Sequence, residues 1–292
     1  MSTIDEDGIN GELVDSERYS PLYKRGLEEK TLDLLASEVY LLEQWSDVPE
    51  DKAREQYDHT MNQWIDLGCS GRHPYHIAAL KHNYPSPTDV QRTTVLSPWR
   101  TPQERQAALI LTSQTSRLWL RTNYSPGHNP LSALDENEKE LITGAENNTL
   151  VFNDPSLYDF SKDWFNVLLR IPEILDSYHG PKNGPLHSSI LRTFEEPETE
   201  VTDPKVADEA DSYRDLEHAS MTGCLWVQDK TSTRTGKVLL VWVDDLGKVI
   251  RWNRMTTREI VDAGGMFAFG DGRELDGPMW ERAQFGEDYG WE

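Results

Sequence analysis

The sequence predicts an α+β protein: a mainly helical N-terminal region followed by a small antiparallel β-meander with a capping helix. Three observations carry that expectation. Lys237–Val243 (KVLLVWV) is an unbroken β-branched and aromatic run, the pattern of a strand covered on both faces. It is followed by Asp244-Asp245-Leu246-Gly247, where Asp opens a turn and Gly supplies the positive φ that closes a short hairpin onto Val249–Asn253. Upstream, several stretches between Tyr23 and Ser177 repeat apolar residues at three- and four-residue spacing, the signature of helices with one buried face.

Residues 1–18 are polar and acidic without an aromatic residue, so they cannot bury enough surface to offset the entropy of ordering and are expected to be disordered. From Tyr23 to Trp45, Leu27, Leu34, Leu35, Val39, Leu42 and Trp45 lay an apolar face along a first helix. Pro49–Leu67 forms a second through Ala53, Tyr57, Met61, Trp64 and Ile65, ended by Gly68, and the short connection makes an αα-hairpin. A third, shorter helix is expected from Pro74 to about His82, after which Pro85, Pro87 and Pro98 impose an extended loop. Thr101 as cap, Pro102 at the first helical position and Glu104 as capping-box acid start a helix that apolar positions carry through Ala107, Leu109, Ile110, Leu111, Leu118 and Leu120. Beyond the Pro/Gly break Tyr124–Pro130, helices are expected over Ser132–Thr143 and Ser161–Ser177, the second bent or split by Pro172.

The acidic, Pro-containing stretch Glu195–Asp211 reads as a boundary. The expected organisation is a disordered acidic terminus over 1–18, a helical region over 19–194, a linker over 195–211, and a C-terminal unit over 212–292. In that unit Thr222–Gln228 is the first strand, Asp229–Gly236 a polar loop, and Lys237–Val243 the central strand. Val249–Asn253 lies nearer an edge, with Ile250 and Trp252 sharing one face. Thr256 and Glu259 fit a capping box for a short helix that stops at Gly264-Gly265, and the acidic, aromatic tail Asp271–Glu292 is expected to pack back. A three-strand meander cannot bury two apolar faces alone, so the helix and part of the first two hundred residues must cover it.

The 292 residues carry 29 Lys and Arg against 51 Asp and Glu, a formal net charge of -22 that repels phosphate backbones and anionic membranes at long range. Nucleic-acid and membrane partners are therefore disfavoured, and a soluble cytoplasmic protein is expected. Cys69 and Cys224 are the two cysteines, too few for a disulfide framework. The N-terminus has acids where a signal peptide needs a basic and then an apolar run, so the sequons at Asn123 and Asn147 are read as incidental.

Cys69, His73, His76 and His82 form the densest cluster of metal-type ligands, with His73 and His76 as the pair that a helix could align. The spacing matches no standard zinc pattern, and Pro74 places His73 outside the helix, so surface or core histidines outweigh a metal site. Gly270–Gly277 looks like a calcium loop but lacks carboxylates at its first and twelfth positions. Asp244 and Asp245 have the chemistry of a hairpin turn rather than of an acid/base pair. No nucleophile elbow, dinucleotide fingerprint or phosphate loop is present. Lys237, Lys248, Arg251 and Arg254 make the hairpin basic against an acidic background, a surface that could receive an acidic segment of this chain or of a partner, with Trp280 and Trp291 as further contact residues. Ordinary edge-strand charge is the competing explanation.

The expectation from these readings is a non-catalytic protein that works by contact with a protein partner, or an accessory protein. An enzyme or a ligand-binding accessory protein in small-molecule metabolism is the alternative, motivated by a helical half with enough aromatic residues to line a pocket. An acidic mimic that occupies a basic partner rests on charge alone and comes third.

Overall fold

The computed structural model describes residues 34–112, 116–177, 221–268 and 282–285. The expectations for residues 1–18, for the linker 195–211, for Gly270–Gly277 and for Trp280 and Trp291 lie outside the described residues.

The fold is α+β, as the sequence predicts, but the sheet is larger than a meander and is mixed. Among the described residues it has six strands in the order β2-β1-β3-β4-β5-β6. These are β1 (Leu118–Arg121), β2 (Val151–Phe152), β3 (Gly223–Gln228), β4 (Lys237–Val243), β5 (Val249–Thr256) and β6 (Gln284–Phe285). The expected meander is present as the antiparallel run β3-β4-β5, with Trp226 opposite Leu240 and Val241 opposite Trp252. To it the chain adds β1, parallel to β3 with Trp119 opposite Trp226, and β2, parallel to β1. Strands from the helical region and from the C-terminal stretch thus share one sheet.

The helices are α1 (Ala36–Gln44), α2 (Glu50–Asp66), α3 (Gly68–Leu80), α4 (Pro102–Leu111), α5 (Glu136–Thr143), α6 (Lys230–Thr235) and α7 (Thr257–Ala268), with shorter helical turns between them. On one face of the sheet Leu118, Leu120, Leu225, Val227, Leu239, Val241 and Trp252 pack against α4 and against Trp164, Val167, Ile171 and Ile174. On the other, Trp119, Trp226, Leu240, Trp242 and Met255 meet Ile142 of α5 and Ile260 of α7. A third cluster, built on Tyr40, Tyr57, Met61 and Trp64, joins α1 to α2 as the predicted αα-hairpin.

The sequence expectation differs from the structure at several places. The helix begun at Thr101 keeps its capping box, Glu104 N donating to Thr101 Oγ1 at 3.1 Å and Thr101 N to Glu104 Oε2 at 2.6 Å, but it ends at Leu111. Leu118 and Leu120 belong instead to β1: they face one core while Trp119 between them faces the other, the period-two alternation of a strand. Helix α3 starts at Gly68 rather than Pro74, taking Pro74 inside it, so His73 is a helical residue. Asp89–Gln91 and Arg92–Leu96 are helical turns inside the stretch expected to be extended. The helix predicted over Ser132–Thr143 begins at Glu136, behind a separate turn over Pro130–Ala133.

Pro172 splits its helix as predicted: Trp164–Asn166 and Val167–Arg170 are followed by Ile171 at φ -134°, ψ 70°, and a new turn runs over Pro172–Asp176. The expected loop Asp229–Gly236 contains α6, capped by Asp229 Oδ1, which accepts from Ser232 N at 2.7 Å, and stopped at Gly236 with φ 73°. On β5 a register shift opposite Trp242 and Val243 inserts one extra residue, so Ile250 packs on the second face while Val249 and Trp252 pack on the first. Helix α7 has the predicted box, Thr256 N to Glu259 Oε2 at 2.8 Å, but runs through Gly264 and Gly265 to Ala268.

Five arginine–carboxylate pairs among the described residues have an acid with little exposure: Arg72 with Asp176, Arg100 with Glu173, Arg105 with Glu38, Arg170 with Glu104, and Arg254 with Asp229. Glu104 does two things at once, closing the α4 capping box and accepting from Arg170 and, at 2.8 Å, from the Tyr158 hydroxyl. Glu38 similarly caps α1 through the Leu35 amide at 2.9 Å while it holds Arg105. Each of these carboxylates ties a helix start to a distant stretch of chain, and each buried charge is matched by a guanidinium fork.

The Trp119–Trp226 pair, 6.3 Å between ring centroids, joins the parallel and antiparallel halves of the sheet at full burial. Trp226→Ala is expected to destabilise the protein by about 3–5 kcal/mol in urea unfolding. A loss of under about 1 kcal/mol would contradict this placement.

Candidate functional site

Two clusters of chemically capable side chains emerge. The first surrounds the start of α3. Gly68, at φ 61°, lets the chain turn so that Cys69 N donates to Asp245 Oδ2 at 2.6 Å, and a Cβ at Gly68 would lie 2.9 Å from that same oxygen. The Arg72 guanidinium donates to the Asp245 carbonyl at 2.8 Å and pairs with Asp176 at 3.2 Å. His76 Nε2 lies 3.2 Å from the other Asp176 oxygen. Cys69 and His76 are seven residues apart on one helix, the spacing of a shared face.

A cysteine, a histidine and an aspartate on neighbouring elements invite comparison with a thiol nucleophile and its base. The electrostatics oppose it. Burial and then the Asp176 charge push the Cys69 thiol up to about 11, so it stays protonated near neutral pH. Burial works against the Asp176 carboxylate, but Arg72 and His76 hold it down at about 2. This arrangement keeps a buried ion pair intact and docks the β4–β5 turn on α3. His73 is exposed, three residues from His76. Among the described residues no three His, Cys, Asp or Glu side chains converge to hold a metal ion.

The second cluster was not singled out from the sequence. β1 and β3 are parallel and end side by side, Arg121 opposite Gln228, and neighbouring carboxyl ends of parallel strands leave a crevice where ligands of α/β proteins bind. Loop 122–129 leaves β1 and α6 leaves β3, and the two are stitched together. His128 N donates to Thr233 O at 2.8 Å, Thr233 Oγ1 reaches Asn123 Oδ1 at 3.4 Å, and Gln228 Nε2 donates to Asn129 Oδ1 at 3.0 Å. Gly127 makes the close approach possible: at φ 153° it sits where an added Cβ would lie 2.6 Å from Thr233 Cγ2 and 2.8 Å from its carbonyl oxygen.

A pocket of about 590 Å³ opens over this junction, lined by Asn123, Ser125, Pro126, Gly127, His128, Lys230, Thr233 and Arg234. Lys230 and Arg234 are exposed and stand one turn apart on α6, and the exposed His128 on the loop lines the same pocket. None of the eight lining residues is acidic. Among the described residues neither Lys230 nor Arg234 has an ion pair, whereas Arg72, Arg100, Arg170 and Arg254 are each matched by a carboxylate. Like charges at this spacing cost a helix about 0.2–0.5 kcal/mol, and α6 is already short and rich in Ser and Thr. Asp229, at the start of α6, does not offset these cations, because Arg254 grips it at 3.1 Å and 2.5 Å.

The hairpin cations expected to form a basic surface have separate fates. Arg254 is bound to Asp229, and the Arg251 guanidinium lies 4.1 Å over the Phe285 ring on β6. Lys237 and Lys248 are exposed at opposite ends of the β4–β5 pair. The turn reading of Asp244 holds: its Oδ1 accepts from Leu246 N at 2.9 Å and from Lys248 N at 2.8 Å.

The depressed Asp176 carboxyl carries a pH dependence with a definite sign. Folding lowers it from an ordinary value near 4 to about 2, so its contribution is complete above about pH 5 and is lost as pH falls toward 2. The wild-type urea midpoint is expected to fall between pH 6 and pH 3 more steeply than that of Asp176→Asn. Equal slopes would contradict the pair with Arg72.

Compared with protein-family models, curated proteins and solved structures, the chain finds no match, so its fold and its candidate site rest on sequence and geometry.

Proposed function

We propose that the protein acts by binding rather than by catalysis, as an accessory or interaction protein whose pocket at the ends of β1 and β3 receives an anionic group of its ligand. The observation that carries this reading is the charge of that pocket. In a chain of net charge -22, Lys230 and Arg234 line one crevice, with the His128 ring in the same lining, and no lining residue is acidic. Such a site draws an anion by local field, and its neutral floor of Asn123 and Thr233 is already wired into place, which limits the ordering cost of binding. The same lining offers no carboxylate base and no thiol, and the Cys69 cluster is held in an unreactive state, so catalysis has less support than capture.

The long-range repulsion of the whole chain argues for a small ligand or a protein rather than a nucleic acid. Among the described residues no helix is long and apolar enough to cross a membrane.

Small anions are expected to raise the melting temperature of the wild-type chain at low ionic strength, and salt is expected to erode the effect. The double variant Lys230→Ala/Arg234→Ala should lose that stabilisation while melting normally without ligand, because both side chains are solvent-exposed. An anion response unchanged in the double variant would overturn the reading.

A further inference from the structure

The geometry points to a phosphate monoester of a small organic molecule as the group this pocket takes, an inference that rests on the anion-binding reading above. The number of cations and the two elements that carry the lining distinguish it from a carboxylate. Lys230 and Arg234 line the pocket from α6, and His128 and Ser125 line it from the loop after β1. A carboxylate has one charge and two oxygens in a plane, so it engages one guanidinium fork well and leaves the other cations unmatched. A phosphate monoester carries between one and two negative charges near neutral pH and presents three terminal oxygens in a tetrahedron, so separate donors can engage it from both walls. Lys supplies a compact point charge and Arg a two-pronged donor, the pair of side chains that phosphate sites use together. Ser125 and Thr233 line the same space.

The volume argues for more than a bare ion. About 590 Å³ lies within the range of pockets that hold small organic ligands, so the phosphate fills the cationic side and leaves room for the organic body against Pro126 and Gly127. The surroundings keep the site cationic. Asp229 is neutralised by Arg254 and is fully buried, so the carboxylate nearest α6 in sequence does not oppose a dianion. The rigid junction serves the same end, because Gly127 against Thr233 fixes the distance between the wall that carries His128 and the helix that carries Lys230 and Arg234.

Isothermal titration of the full chain at low ionic strength tests this with glycerol 3-phosphate, inorganic phosphate, succinate and a phosphoserine peptide. Glycerol 3-phosphate is expected to bind at least about tenfold more tightly than succinate, and Lys230→Ala and Arg234→Ala should each weaken it by about tenfold. Inorganic phosphate should compete with it, and Lys248→Ala, at the opposite end of the sheet, should leave binding unchanged. Circular dichroism confirms that each variant is folded. Succinate binding as tightly as glycerol 3-phosphate would overturn the phosphate assignment and leave the anion-binding reading standing. Failure of all four probes to bind would overturn both. A phosphoserine peptide binding about tenfold more tightly than glycerol 3-phosphate would overturn the small-molecule assignment in favour of a phosphorylated partner.

Discussion

The burial of β3 and β4 on both faces is the constraint from which the rest of the architecture follows. Every residue of β3 and every residue of β4 after Lys237 is buried. A two-strand ribbon cannot satisfy that requirement, because each face needs a layer of apolar side chains and the free edge of β3 needs hydrogen-bonding partners. The chain answers the first need with α4 and the split helix around Pro172 on one side, and with α5 and α7 on the other. It answers the second by laying β1 parallel to β3. That single parallel pairing creates the crevice at which the pocket lies, so the site is a by-product of how the central ribbon is covered.

The electrostatic pattern follows the same logic. A strongly acidic chain has few cations to distribute, and five of its arginines are committed to carboxylates with little exposure. Breaking such a pair strands a buried charge, a larger penalty than the pair's own net contribution. Against that background Lys230 and Arg234 stand together over the β1–β3 junction in a pocket with no acidic lining residue. Both side chains are exposed, so neither is needed to cover the core, and they are the cations that the proposed anion would meet.

Much of this was legible in the sequence, and the omissions have physical reasons. KVLLVWV identifies the central strand because a double-sided apolar run of that length has no alternative in a small sheet, and Thr101, Pro102 and Glu104 mark a helix start because capping chemistry is local. Strand β1 was hidden because Leu118 follows Leu111 by seven residues, a helical repeat, and only the non-local pairing with β3 decides the matter. The bulge that turns Ile250 away from Trp252 is likewise set by the partner strand. Helix α6 left a local signal, with Asp229 as cap and Gly236 as stop, but its Ser and Thr composition reads as loop. The pocket itself was out of reach, since His128 and Arg234 are about a hundred residues apart and meet only after two parallel strands have paired.

Fold and proposed site meet where the paired ends of β1 and β3 would hold a phosphate group between α6 and the loop after β1. The most direct measurement is a crystal structure of the protein grown with glycerol 3-phosphate. Phosphate density is expected between the Lys230 ammonium and the Arg234 guanidinium, within hydrogen-bonding distance of the His128 ring. Phosphate ordered instead at the exposed hairpin around Lys248, or an empty junction at saturating ligand, would contradict it.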